Sequence, residues 1–272
     1  MMSRRRRPCA AGTFYPADPQ KLRTTVLSLS PSQSDPEPAR AVVVPHAGYQ
    51  FSGALAADVL SQVIVPKTCI LLGPNHTGMG APYSVWNKGA WEMPFGDVPI
   101  DEDLAEQLLD TIPLLSSDTA AHRREHSIEV QLPLLMNRNP ELSVVPVSLS
   151  SHDLDALVDI GEKLAEIVRE RSVLVVASND MTHFESAETA ARMDSPSIDA
   201  MLNVQPETLY EYVTGHRVTM CGVVPVTVTL AMCRELGVDK GRKVGYTHSG
   251  KATGDLSSVV AYLGMIFPRE KA

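Results

Sequence analysis

Three uninterrupted apolar runs constrain this chain most: Ala41-Val42-Val43-Val44, Cys69-Ile70-Leu71-Leu72 and Val173-Leu174-Val175-Val176. A strand with one face in water alternates apolar and polar side chains, so a run without polar residues predicts a strand buried on both faces. Such strands need helices on the sheet, and the segments between these runs are long enough for crossovers. Patterning predicts helices over 21–29, from Ser52 or Gly53 to Val63, and over 101–110, 125–135, 153–169, much of 186–213, and 222–236. Further strand candidates are 243–248, 258–266 and Val144-Val145-Pro146-Val147, where Pro146 is awkward for a central strand. The expected fold is α/β: a single domain over 1–272, built as a three-layer α/β/α sandwich around a mixed, mostly parallel sheet. The Ser/Pro/Asp-rich stretch 28–38 reads as a surface loop, and residues 1–10, with Arg4-Arg5-Arg6-Arg7, as a flexible basic tail.

Composition narrows the function classes. Asp plus Glu total 32 against 24 Lys plus Arg, a formal net charge of -8. That balance argues against the broad basic surface of a nucleic-acid binder but leaves room for a local basic patch. No apolar run approaches the roughly 18 residues of a membrane span, and no apolar segment follows the first arginines as in a secretory signal. The four cysteines, Cys9, Cys69, Cys221 and Cys233, show no CxxC spacing, so reduced thiols in the cytoplasm are expected. Without GxGxxG or a Walker A loop, no nucleotide cofactor is expected; a GxSxG elbow is missing as well.

The apolar runs lead into chemistry. The first enters Pro45-His46-Ala47-Gly48-Tyr49, the second Gly73-Pro74-Asn75-His76, and the third Ser178-Asn179-Asp180-Met181-Thr182-His183. In open α/β sheets the carboxyl ends of strands border the ligand crevice, so His46, His76, Asp180 and His183 are expected to converge. Imidazoles there suit a divalent metal with a carboxylate in support, or metal-free acid–base work. A second cluster, Glu125-His126-Ser127-Ile128-Glu129, would place Glu125 and Glu129 on one helix face and make His126 a proton-transfer group partnered by Glu129. Cys221 before a helix start, with His216 nearby, leaves a metal-free Cys/His hydrolase open. Tyr15 and Tyr49 can line a pocket, and Arg123 and Arg124 can bind an acidic substrate or form a solvated charged face.

In these motifs, and in Ala11-Gly12-Thr13-Phe14-Tyr15-Pro16 and Cys221-Gly222, the whole chain resembles the MEMO-like family, which includes AmmeMemoRadiSam system protein B. The resemblance implies a fold similar to class III, LigB-type extradiol dioxygenases, which use nonhaem iron to open catecholic rings. It implies metal ligation by His46, His76 and His183, with iron favoured over zinc or copper, and catalytic roles for His126, His183, Glu129 and Asp180. Tyr15, Tyr49 and Asn75 would bind substrate. The family's pocket cysteine falls at Ala252 here, which removes a soft ligand. The expected activity is a metal-dependent small-molecule oxygenase with an unassigned substrate. The alternative is a binding protein with an enzyme-like crevice, partnered by an AMMECR1-like or radical SAM protein.

Overall fold

The computed structural model describes residues 4–30 and 35–269. Residues 1–3 of the expected tail and 31–34 of the expected surface loop lie outside the described residues. The chain opens with β1 (Arg5–Arg6), α1 (Pro19–Leu29) and β2 (Ala39–Val44). A π-helical turn at Tyr49–Gly53 leads into α2 (Ala54–Ser61), followed by β3 (Thr68–Pro74), β4 (Tyr83–Val85), β5 (Ala90–Met93) and β6 (Gly96–Pro99). Then come α3 (Glu102–Thr111), β7 (Ser116–Ser117), α4 (Leu132–Arg138), β8 (Ser143–Leu149), α5 (Leu154–Val168) and β9 (Val173–Ser178). The last elements are β10 (Asp180–Glu185), α6 (Ala187–Leu202), α7 (Pro206–Gly215), α8 (Val223–Glu235), β11 (Arg242–His248), α9 (Gly250–Thr253) and β12 (Val259–Pro268). Helix starts follow side-chain chemistry: Asp18, Asp101, Asp153 and Ser186 each accept a first-turn backbone N–H at the starts of α1, α3, α5 and α6.

The main sheet runs β10-β12-β2-β9-β3-β8-β4-β7, with β11 also paired to β12. The three apolar runs form its parallel centre, β2-β9-β3, extended by β8. The flanks correct the expectation of a mostly parallel sheet: β12 is antiparallel to β2, β10 and β11, and β4 is antiparallel to β8. The connection from β11 to β12 carries only the short α9, and parallel pairing needs a longer crossover. Pro146 is accommodated in β8 because β4 ends at Val85, opposite Val147. Helix α8 packs on β2, β9 and β3 with α5 against it, and α2 packs on β2, β11 and β12 with α1 and α4 alongside. The result is a mixed-sheet α/β sandwich. Among the described residues no helix is long and apolar enough to cross a membrane.

One register positions the functional region. Strand β12 is ten residues long. Its later half pairs with β2, Met265 opposite Val43, while its earlier half pairs with β10, Tyr262 opposite Asp180. Strand β10 therefore occupies the space beyond the carboxyl end of β2. His46 and Asp180 meet across that junction.

The expected helix over 125–135 begins later. Residues 125–126 are irregular, 127–128 form a turn, Glu129–Gln131 a 3-10 turn, and α4 starts at Leu132. The Glu125 carboxylate accepts the Ser127 N–H, which favours the turn, and Pro133 sits in the first turn of α4, where a proline's missing N–H costs nothing.

Within its described residues, from Arg4 onward, the expected flexible tail is also corrected. β1 pairs in parallel with β5, and Arg6 is 2% exposed. Gly89 (φ +88°) allows this approach, because a Cβ there would lie 1.8 Å from the Arg4 carbonyl oxygen. The Arg6 guanidinium pairs with Glu129 at 2.5 Å, donates to the carbonyls of His122 (2.8 Å) and Glu125 (2.6 Å), and lies 4.1 Å from the Trp91 ring centre. Glu129 accepts in turn from the N–H groups of Cys9 and Ala10 and from the Tyr15 hydroxyl. Burial raises the Glu129 pKa, but Arg6 and these donors outweigh it and hold the carboxyl below its usual range. A basic run reads as solvated in one dimension; here a distant carboxylate and an aromatic face give one arginine a buried partner.

Arg6→Met strands the Glu129 charge and is expected to cost about 3–5 kcal/mol in denaturant unfolding, with part of that loss recovered in Arg6→Met/Glu129→Gln. Because the folded Glu129 pKa is depressed, its contribution is complete above the unfolded value and is lost as pH falls through the folded one. Glu129→Gln should therefore flatten the acid limb of the stability–pH curve. An acid limb unchanged in that variant would remove Glu129 as its source.

Candidate metal centre

The carboxyl ends of the central strands meet at a cavity of about 490 Å³. β2 delivers His46, β3 delivers His76, β10 carries Asp180 and His183, and the turn before α4 adds His126; all five line this cavity. The close approach of the end of β3 to residues 127–128 depends on Gly73: a Cβ there would come within 2.6 Å of the Ile128 side chain. That proximity brings His76 onto Glu125. His183 departs from the expected loop position and lies within β10, where the ladder register shifts on either side of it. The next residue, Phe184, adopts φ 64° with its side chain 79% exposed. Positive φ at an aromatic residue is strained, and such strain clusters at functional sites.

Hydrogen bonds determine how the rings are presented. Ser178 Oγ donates to the Ser127 carbonyl at 2.7 Å and accepts from Gln131 Nε2 at 3.0 Å. With its one proton committed, Ser178 Oγ can only accept from His46 Nδ1, 2.8 Å away. Neutral His46 thus carries its proton on Nδ1 and presents the Nε2 lone pair, with the Cys221 Sγ 3.3 Å away. His76 Nδ1 lies 2.9 Å from Glu125 Oε1, and His183 Nδ1 donates to the Thr219 carbonyl at 2.8 Å. All three imidazoles therefore keep Nε2 as the available donor atom, the arrangement by which outer partners orient metal-binding histidines.

The charges are graded. Burial holds His46 well below its usual pKa, and His126, His76 and His183 act in the same direction. Burial also lowers His126 and His183. For His76 burial acts downward, but the Glu125 hydrogen bond and charge outweigh it and raise the value. Burial raises the Glu125 pKa; His76, the Ser127 N–H and His126 overcome that and bring it down to about 2. Asp180 shows the opposite balance. Its Oδ1 accepts the His46 N–H at 2.8 Å, yet burial dominates and pushes it up to about 7. A carboxyl in that range can hold or release a proton near neutrality.

One ring nitrogen from each of His46, His76 and His126 lies within 4.8 Å of the others. Three clustered imidazoles, two of them shifted toward the neutral form and one oriented by a carboxylate, are a donor set that fits a divalent metal. His183 lies on the same cavity, but His126 completes this cluster in its place. Ala252 is exposed on α9 and supplies no donor. A different thiol approaches: Cys221 Sγ is 3.3 Å from His46 Nε2.

Other expected roles are corrected by their partners. Glu129 does not pair with His126; it is committed to Arg6, and Glu125 lies 3.4 Å from the His126 ring nitrogen. The Tyr15 hydroxyl donates to Glu129 at 2.6 Å and the Tyr49 hydroxyl to the Val130 carbonyl at 2.8 Å, so both brace the site from behind. Phe14 and Phe51, their near neighbours in sequence, line the cavity instead. Asn75 organises its own loop: its oxygen accepts from Thr77 and Gly78, and its amide donates to the Met79 carbonyl. The Cys221/His216 pairing fails as well. His216 stacks on Tyr212 at 4.4 Å, while burial and Asp180 push the Cys221 thiol well above its usual pKa. Glu125, Ser178 and Phe14 fall inside the sequence motifs but are assigned no site role by them, and Gln131 lies in none; their partners are distant in the chain.

In Glu125→Gln, the His76 titration midpoint is expected to move to lower pH, because the group that raises it is gone. Imidazole ¹H–¹⁵N spectra read this directly. At alkaline pH the same spectra of the unmodified protein should show His46, His76 and His183 protonated on Nδ1; Nε2–H signals would contradict the hydrogen-bond assignment.

Comparison with known proteins agrees with the motifs. The family model described as Memo-like protein matches residues 6–266. A MEMO1 family protein of Aquifex aeolicus is 42% identical over 266 residues, covering 96% of this chain and 98% of that protein. A MEMO1 family protein of Methanopyrus kandleri is 38% identical over 280 residues, covering 97% and 99%. Among solved structures, the uncharacterized protein JW3007 from Escherichia coli K12 superposes with a TM-score of 0.55 at 13% identity, covering 84% of this chain and 98% of that one, a likeness of fold alone. With His46, His76, Glu125, His126, Asp180 and Cys221 all inside the matched region, this chain belongs to the Memo-like protein family.

Proposed function

We propose that this protein is a metal-dependent small-molecule oxygenase, with the metal held by His46, His76 and His126 and iron favoured over zinc or copper. The observation that carries the reading is the cluster of three imidazole donors at one cavity wall. A divalent metal there supplies Lewis acidity and, as iron, electron-transfer chemistry. The chain's own groups have separate tasks. Glu125 orients His76, and Ser178 with Gln131 orients His46. Asp180, poised near neutrality, and the free Nε2 of His183 accept or return protons at the cavity wall. Phe14, Phe51 and Val260 supply apolar wall suited to a flat ring, and Tyr262 adds a further aromatic face. The resemblance to LigB-type dioxygenases points to an aromatic diol as substrate. The four cysteines are free, which fits a reducing, cytoplasmic setting.

The test begins with metal content after tag-free purification. Near-stoichiometric metal is expected in the unmodified protein and in His183→Ala, with a tenfold or greater drop in His46→Ala, His76→Ala and His126→Ala. Full metal content in all three of the latter variants would overturn the site. Oxygen uptake by iron-loaded protein with a panel of catechols tests the reaction, and no uptake across the panel would reject the oxygenase reading while leaving metal binding intact.

A further inference from the structure

A second concave surface lies at the N-terminal strand, away from the imidazole cavity. It encloses about 390 Å³ and is lined by Arg4, Arg5, Arg6, Arg7, Arg123 and Trp86, with Thr119 at its wall. Five arginines around one hollow are unexpected in a chain of net charge -8. Two are internally compensated: Arg6 by Glu129, and Arg5 by Glu92 and Asp97. Arg4, Arg7 and Arg123 are exposed and make no ion pair within 4.0 Å among the described residues; Arg123 reaches only the Thr119 hydroxyl, at 3.4 Å.

The hollow is built, not a chance meeting of mobile side chains. The Arg6 guanidinium anchors its own segment, and the Arg4 carbonyl accepts the Ala90 N–H at 3.0 Å across the β1–β5 pair. The donation of Arg6 Nε to the His122 carbonyl ties that strand to the residue before Arg123. The backbones that carry Arg4, Arg7 and Arg123 are therefore held at a set distance, so a ligand between them does not have to order the chain.

We infer that this hollow binds a compact, multivalent oxyanion of the phosphoryl class, as a small phosphorylated molecule. Guanidinium groups match phosphoryl oxygens with paired, charge-assisted hydrogen bonds. The Thr119 hydroxyl adds a neutral donor. The enclosed volume suits a small ligand. A long polyanion would run onto Glu92 and Asp97, which flank Arg5, and onto a surface of net negative charge.

Pyrophosphate is the probe, titrated calorimetrically into the full chain at low ionic strength after chelation of metal. Saturable one-to-one binding is expected, weakened about tenfold or more in Arg7→Ala and in Arg123→Ala, and unchanged in Arg124→Ala, whose side chain lies outside the hollow. The same binding should persist in His46→Ala/His76→Ala, which separates this site from the proposed metal centre. In the unmodified protein, pyrophosphate should slow phenylglyoxal labelling of Arg7 and Arg123 in peptide maps, a readout independent of variant folding. The inference is overturned by the lack of saturable binding, or by full affinity in Arg7→Ala/Arg123→Ala. Loss of binding in the histidine variant overturns it too. Tighter binding of a phosphoserine peptide or a single-stranded oligonucleotide than of pyrophosphate would overturn the commitment to a small ligand.

Discussion

The buried Arg6–Glu129 pair is the contact on which the functional region rests. Taking two charges out of water costs several kcal/mol per ion, and their attraction repays that only when the remaining donors and acceptors are also satisfied. Here they are. Glu129 collects Arg6, two backbone N–H groups and the Tyr15 hydroxyl, while Arg6 reaches two carbonyls of the 122–125 turn. A well-packed apolar replacement could match the stability of such a pair but could not set the same positions. The network fixes the N-terminal strand, the Tyr15 turn and the segment ending in Glu125 and His126 relative to one another. The geometry of the histidine cluster depends on that last segment.

The sheet supplies the other half of the positioning. Because β12 pairs with β2 over one half and β10 over the other, the carboxyl end of β2 opens directly onto Asp180. The His46 backbone N–H then reaches the Asp180 carboxylate, and the His46 ring reaches Ser178 at the end of β9. His46 is thus tied to two further strands, by its backbone N–H to β10 and by its ring to β9. His76 reaches the same space from β3, held by a carboxylate from a segment outside the sheet.

Local patterning made the central sheet legible. Runs such as 41–44 and 173–176 are apolar throughout because both faces are covered, and the histidines that follow them do converge. The helix starts near 101, 153 and 186 were legible for a similar reason, since a capping Asp or Ser acts within one turn. What patterning missed depends on distant partners. Arg6 resembles its exposed neighbours until Glu129 and Trp91, far along the chain, enclose it. His183 looks like a loop residue because nothing nearby signals that 180–185 will pair with β12. Tyr15 and Tyr49 have the chemistry of substrate-binding groups, yet their hydroxyls are claimed by Glu129 and the Val130 carbonyl.

The cluster's electrostatics follow from placing three imidazoles so close together. Three protonated rings within 4.8 Å would repel strongly where water is scarce. The structure avoids this by giving the available carboxylate mainly to one ring. Glu125 supports positive charge on His76, whereas burial and the neighbouring imidazoles shift His46 and His126 toward the neutral form. A metal cation entering this space meets ring nitrogens already oriented by Ser178 and Glu125. The same carboxylate that favours the imidazolium of His76 favours a cation bound at its other nitrogen, so proton and metal compete for one preorganised position.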